Sequence, residues 1–152
     1  MSAAAADLTD TQYRELLAFR TALRRFTHWS ESQAIDLGLT AAQHQLMLAV
    51  RGHPDPRGPT IGDVADSLLL RHHSAVGLVD RAAAANLVER RSDPADQRIV
   101  RLRLTALGAR RLRQLSHTHL AELRRTFPKF GAALFADAAG IEIADMQEEG
   151  ER

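Results

Sequence analysis

A cluster of turn formers followed by a short, strictly alternating segment constrains this chain more than any other feature. Ser92-Asp93-Pro94-Ala95-Asp96-Gln97 is dense in residues that favour turns, and Ile99-Val100-Arg101-Leu102-Arg103-Leu104 then alternates with period two. On an extended backbone this puts Val100, Leu102 and Leu104 on one face and Arg101 and Arg103 on the other. Leu87-Val88-Glu89-Arg90 is strand-like on the other side of the turn, so the segment predicts a β-hairpin. The rest of the chain carries helical spacing. The hairpin is therefore expected as a small appendage on a mainly α fold.

Five helices are expected around it. Thr9-Asp10-Thr11-Gln12 is a capping-box pattern, after which Leu16, Phe19, Leu23 and Phe26 step in threes and fours to about Gly38. A second box, Thr40-Ala41-Ala42-Gln43, opens a helix that buries Leu46, Met47 and Val50. The prolines of His53-Pro54-Asp55-Pro56-Arg57-Gly58-Pro59 end it in a surface loop, because each lacks a donor and restrains its predecessor. Thr60-Ile61-Gly62-Asp63 starts a short helix with Ile61, Val64, Ala65 and Leu68 inward. Arg71 to Ala85 reads as the next helix, with Val76, Val79 and Ala82 as its core stripe. Two short helices joined tightly predict a helix-turn-helix. Asn86 tolerates the left-handed conformation that closes a helix, and Thr105 can cap a last helix carrying Leu112, Leu115, Leu120, Leu123 and Phe127. Pro128 and Gly131 break that helix; a further short one is expected over 132–147, and an acidic disordered tail over 148–152.

Charge is segregated along the chain. Residues 71–103 hold seven Arg against four acids, and 105–131 hold six cations against Glu122 alone, whereas 132–152 hold six acids and one Arg. A basic middle is the electrostatic footprint expected for a polyanion partner. With no cysteine among 152 residues, disulfides, thiolate metal sites and cysteine redox switches are excluded. Seven histidines raise a metal sensor as an alternative, but His72-His73 and His117-Thr118-His119 lack the three- or four-residue separation that puts two ligands on one helix face, so no metal and no cofactor is expected. No Gly-rich phosphate loop, nucleophile elbow or metalloprotease helix motif is present, so an enzyme is not expected. No apolar run approaches a membrane span, and Met1 to Ala6 lacks the basic start of a signal peptide. A cytoplasmic protein with a frayed N-terminus is the expectation.

The stretch Leu39 to Leu107 resembles the MarR (multiple-antibiotic-resistance regulator) family of winged helix-turn-helix regulators. Val79-Asp80-Arg81, Asn86-Leu87-Val88-Glu89-Arg90 and Asp93-Pro94-Ala95-Asp96-Gln97-Arg98 followed by Val100 to Thr105 carry the likeness, with the Asp-x-Arg of the wing at Asp96-Gln97-Arg98. The resemblance implies an α+β fold in which a winged domain over 39–105 is joined to a helical dimerisation region over 8–38 and 106–147. The chain departs from the pattern at Leu69 and Arg71, where relatives usually have Gly and a capping Ser, at Gly77, where a long polar residue is common, and at Asn86, which replaces the usual Gly.

What the resemblance implies about function is a homodimeric transcriptional regulator, expected to repress, that binds a pseudo-palindromic operator in double-stranded DNA. Arg71, His72, His73 and Ser74 start the recognition helix and would meet base edges in the major groove, with Gly77 and Arg81 along the same side. Arg98 resembles the wing arginine that enters the minor groove, with Asp96 orienting it. Arg90, Arg91, Arg101 and Arg103 are then expected on phosphates. His28, Trp29, His44 and Met47 are the residues expected to line a crevice for a small aromatic or anionic effector. The competing function class is a winged-helix protein-interaction module without operator recognition, motivated by Leu69, Arg71 and Gly77.

Overall fold

The computed structural model describes residues 7–128. The expected helix over 132–147, the break at Gly131, the acidic tail and Met1 to Ala6 lie outside the described residues. The elements run α1 (Asp10–Asp36), α2 (Ala41–Arg51), α3 (Ile61–Ser67), α4 (His72–Ala84), β1 (Val88–Ser92), β2 (Val100–Leu104) and α5 (Ala106–Thr126). This is the mainly α architecture with one hairpin that the patterning predicts. No helix among the described residues is long and apolar enough to cross a membrane.

Two compact units divide the chain, one formed by residues 30–118 and the other by residues up to 29 together with those from 119 onward. In the first, Leu46, Met47, Val64, Val79 and Leu102 are fully buried, with Leu78, Ala82, Leu87, Val88, Leu112 and Leu115 around them. The core of this winged unit thus draws on every one of its helices and on both strands. The stripe of α4 is Ala75, Leu78, Val79 and Ala82, with Val76 only half buried. The expected stripe is corrected here: the 75, 78/79, 82 spacing is equally helical, and its members at 75 and 82 are small enough to let α4 sit close to its neighbours.

Local chemistry sets the element boundaries. Thr40 with Gln43 and Thr60 with Asp63 form reciprocal capping boxes, and the Thr9 hydroxyl accepts from the Gln12 amide at 3.2 Å. Helix α3 ends with the Leu70 amide donating to Ala65 O at 2.8 Å and the Leu69 amide to Asp66 O at 3.3 Å, which is the Schellman pattern. That pattern requires a left-handed residue, and Leu69 supplies it at φ +53 where a glycine would be unstrained. Asn86 does the same after α4 at φ +57.

Strands β1 and β2 pair antiparallel, with Val88 opposite Leu104, Arg90 opposite Leu102 and Ser92 opposite Val100. Leu102 is buried, whereas Val100, at the far end of the hairpin, is exposed. Two backbone approaches hold the hairpin. Gly58 adopts φ +89 and lies so close to β2 that a Cβ there would stand 2.2 Å from Leu102 O. Gly108 lies against the chain just before β1, where a Cβ would stand 2.0 Å from Leu87 O. The 53–59 segment is accordingly less of a surface loop than its prolines imply: Gly58 and Pro59 are buried, and Pro59 O accepts from the Leu102 amide at 2.8 Å.

In the second unit the apolar positions of α1 and the last part of α5 are only partly covered. Phe26 packs edge-on to Phe127 and His119, with ring centroids 6.4 and 6.0 Å apart, and Trp29 lies 4.8 Å from His119. Tyr13, Leu16, Leu17, Phe19 and Leu23 remain exposed.

Candidate nucleic-acid interface

Helix α4 presents its first turn outward. Arg71 is the N-cap residue of α4 with extended backbone and no side-chain capping bond, so its guanidinium is not consumed where a serine hydroxyl would be. His72, His73 and Ser74 follow it, all exposed. Further along, Arg81 folds over Gly77: a Cβ at Gly77 would sit 3.3 Å from Arg81 Nη1. Among the described residues neither Arg71 nor Arg81 makes an ion pair; the adjacent Asp80 instead takes Arg90 from β1. The sequence expectation thus gathers Arg71 to Ser74 at one helix end and Gly77 with Arg81 beyond it.

At the wing, Arg98 has a side chain 91% exposed. Its amide donates to Asp96 Oδ1 at 3.0 Å, and its Nε and Nη2 donate to the two oxygens of the same carboxylate at 3.1 and 3.0 Å. This fork holds the Asp96 carboxyl below its ordinary range and raises the guanidinium above its own. Asp96 therefore aims Arg98, as the Asp-x-Arg spacing implies. Arg91 is exposed beside Glu89, to which it donates at 2.7 Å, and Arg103 is exposed without an ion pair among the described residues.

Arg101 requires a correction. Its side chain is 12% exposed and turned inward: Nε donates to Asp93 Oδ2 at 2.9 Å and Nη1 to Gly58 O at 3.0 Å, with Asp55 at 3.4 Å. It is an anchor of the wing and has no free face for a phosphate. Its partner Asp93 has a side chain only 1% exposed and also accepts from the Ala95 amide at 2.8 Å and from Arg57 Nη1 at 3.2 Å. Asp55 completes the cluster with Arg57 at 2.7 Å. Sequence reasoning missed Arg57, Asp55 and Asp93 in this role; the only signal is that a proline-rich loop and a turn each carry an acid beside an arginine.

The cluster makes the winged unit acid-sensitive in a defined way. The Ala95 amide and then Arg101 hold the Asp93 carboxyl below the ordinary Asp value of 3.8, and Arg57 holds Asp55 lower still. Folded values below unfolded ones mean stability is complete above 3.8 and is lost as pH falls through the depressed folded values. Denaturant midpoints measured from about pH 5 to about pH 2 should fall progressively. Asp93→Asn is expected to be less stable at neutral pH and to show a shallower slope in that window. An unchanged slope would remove Asp93 from the account.

The four residues expected to line an effector crevice divide between the two units, and each is described within its own. Met47 is fully buried and His44 nearly so, both inside the winged unit, because α2 faces its core with that side. His28 is exposed on α1, and Trp29 packs on Phe26 and His119. A cavity of about 660 Å³ lies within the winged unit, lined by Leu102, Leu104 and Leu112 together with Arg51, Arg103, Arg113, His53 and Asp55. The described residues contain no group of three His, Asp or Glu side chains placed to hold a metal ion.

Helix-turn-helix, hairpin and following helix stand in the order of a winged helix, and residues 37–99 match the model of the MarR family. Over that segment the chain is similar to the MarR family. Over 71 residues, 47% of this chain, it is 35% identical to an uncharacterized HTH-type transcriptional regulator, YsmB, from Bacillus subtilis. The match spans about half of that relative, 49% of its length. Among solved structures it is similar to AbsC, a MarR family transcriptional regulator from Streptomyces coelicolor, with TM-score 0.67 and 24% identity over 95% of this chain and 99% of that one. A mutant of S. aureus MepR bound to an oligodeoxyribonucleotide aligns with TM-score 0.61 and 17% identity over 95% of this chain and 100% of that one. At these identities the two structures establish a shared fold. Leu69, a departure from the pattern that this segment resembles, nonetheless adopts the left-handed turn that glycine usually makes.

Proposed function

We propose that the protein is a DNA-binding transcriptional regulator that acts as a homodimer on a two-fold operator in double-stranded DNA. The observation that carries this reading is the paired presentation of exposed cations on a winged helix similar to the MarR family's: Arg71 at the exposed start of α4, and Arg98 at the wing tip, aimed by Asp96. An α-helix fits the major groove and its first residues reach base edges, while an arginine on a wing suits the negative potential of a narrow minor groove. Arg71, His72, His73 and Ser74 are the base-reading group, with Gly77 and Arg81 beside them; Arg91 and Arg103 serve the phosphates. That MepR is solved with an oligodeoxyribonucleotide on the same fold supports the assignment.

Dimerisation is assigned to residues 8–38 and 106–147, and the exposed Leu16, Leu17, Phe19 and Leu23 on α1 support it as an apolar seam too long for a free surface. Repression, relieved by a small aromatic or anionic effector, completes the reading. For the effector, the cavity of about 660 Å³ that Arg51, Arg103 and Arg113 line is a second candidate beside the crevice at His28, Trp29, His44 and Met47, since guanidinium groups pair bidentately with carboxylates.

Selection of bound duplexes from a random pool by the purified protein tests the function. An inverted repeat with half-sites about one helical turn, roughly 10 base pairs, apart is expected. Binding without enrichment that vanishes with added salt would mean only the backbone is read, and would favour the interaction module instead. Sedimentation at micromolar concentration should give a species near twice 16.8 kDa; a monomer would remove the basis for two-fold recognition.

A further inference from the structure

Leu69 combines two properties that folding alone does not account for. It is held at φ +53, in the left-handed region, and the residue is 93% exposed. Apart from Asn86, no other non-glycine residue among those described has a positive φ, and Asn86 is of a type that tolerates it. The backbone around Leu69 is fixed by hydrogen bonds on both sides, from the Leu68 amide to Val64 O at 3.0 Å and from the Leu70 amide to Ala65 O at 2.8 Å. A glycine would make the same turn without strain. The leucine side chain therefore costs stability and returns almost no burial inside the unit. Strained residues of this kind concentrate where a side chain is needed for something outside the fold.

Its position says what that is. Leu69 stands two residues before Arg71, the N-cap of α4, in the turn that leads directly into the exposed Arg71, His72, His73 and Ser74. A side chain projecting from that turn travels with the start of the recognition helix. In the major groove the apolar feature that distinguishes one base from the other three is the C5 methyl group of thymine, which branched and small apolar side chains recognise by contact. Resting on the DNA-binding reading above, we propose that Leu69 is a specificity-determining residue whose side chain packs on a thymine methyl at one position of each half-site.

The test uses the full chain and the duplex recovered by selection. Each thymine of a half-site is replaced in turn by uracil, which removes the methyl and leaves the pairing edge intact, and affinity is measured for the wild type and for Leu69→Gly. One position is expected at which uracil weakens wild-type binding about fourfold, the effect of one apolar carbon removed from contact. At that same position Leu69→Gly should bind thymine and uracil alike, while its thermal midpoint rises because the turn is relieved. A merely structural role for Leu69 would leave every uracil penalty unchanged by the substitution, and that result overturns the proposal, as does a selected half-site without thymine. If no duplex is selected at all, the DNA-binding reading itself falls; specific binding without the thymine coupling removes Leu69 alone.

Discussion

Gly108→Ala is expected to lower the unfolding midpoint by about 10 °C, the equivalent of roughly 3 kcal/mol for a chain of this size. The added Cβ would stand 2.0 Å from Leu87 O, 2.9 Å from Leu87 C and 3.3 Å from its Cα. These are backbone atoms, so no rotamer change relieves the overlap. Nor can the backbone easily retreat, because Leu87 O accepts from the Thr105 amide at 3.1 Å and its side chain is buried in the core. The Thr105 hydroxyl in turn caps α5 by accepting from the Gly108 amide at 3.0 Å, so displacing Gly108 also loosens that helix end. Gly62→Ala is the matched control: in α3 its Cβ would meet only Thr60 Oγ1, at 3.6 Å, and helix propensity alone should stabilise it by about 0.5–1 kcal/mol. Equal midpoints for the two variants in a thermal melt would mean that the hairpin and α5 do not approach as described.

Arg98→Ala should carry the largest effect on DNA affinity of any wing substitution, a loss of about tenfold or more on the selected operator with no change in thermal midpoint. The stability part follows from exposure, since the side chain touches only its own neighbour Asp96. On the proposed reading the affinity part follows from charge in the minor groove and from counterion release: if the protein binds as a dimer with two wings, the slope of log affinity against log salt should fall by about two. Asp96→Ala makes a useful companion. It leaves the cation but removes the carboxylate that aims it, so it should weaken binding with the salt slope nearly preserved. Unchanged affinity and slope in Arg98→Ala would sink the wing assignment.

Local rules in the sequence were enough to place the elements whose cause is local. The threonines at 40 and 60 close capping boxes with residues three positions on, and the alternation from Val100 to Leu104 is a strand with Leu102 buried. Of the expected α4 stripe Val79 and Ala82 are buried, while Ala75 and Leu78 are buried in place of Val76, because small alanines carry little phase information. Arg101 shows a deeper limit. Its parity with Arg103 correctly puts it on the face opposite Leu102, yet its fate depends on Asp93, eight residues away, and on the carbonyl of Gly58, 43 residues away. A pattern along the chain carries no record of such convergence, so a buried anchor and a free cation look alike until the loop is in place.

The clamp between Arg57, Asp93, Arg101 and Gly58 makes the root of the wing and the connection between α2 and α3 a single piece. Neither is free to be re-aimed without the other. An insertion or deletion at residues 53–57 would consequently shift the wing tip along a duplex while leaving every side chain of α4 as it was. On the DNA-binding reading proposed above, the distance between major-groove and minor-groove contacts would thus be stored separately from the identity of the bases read, in a different part of the chain.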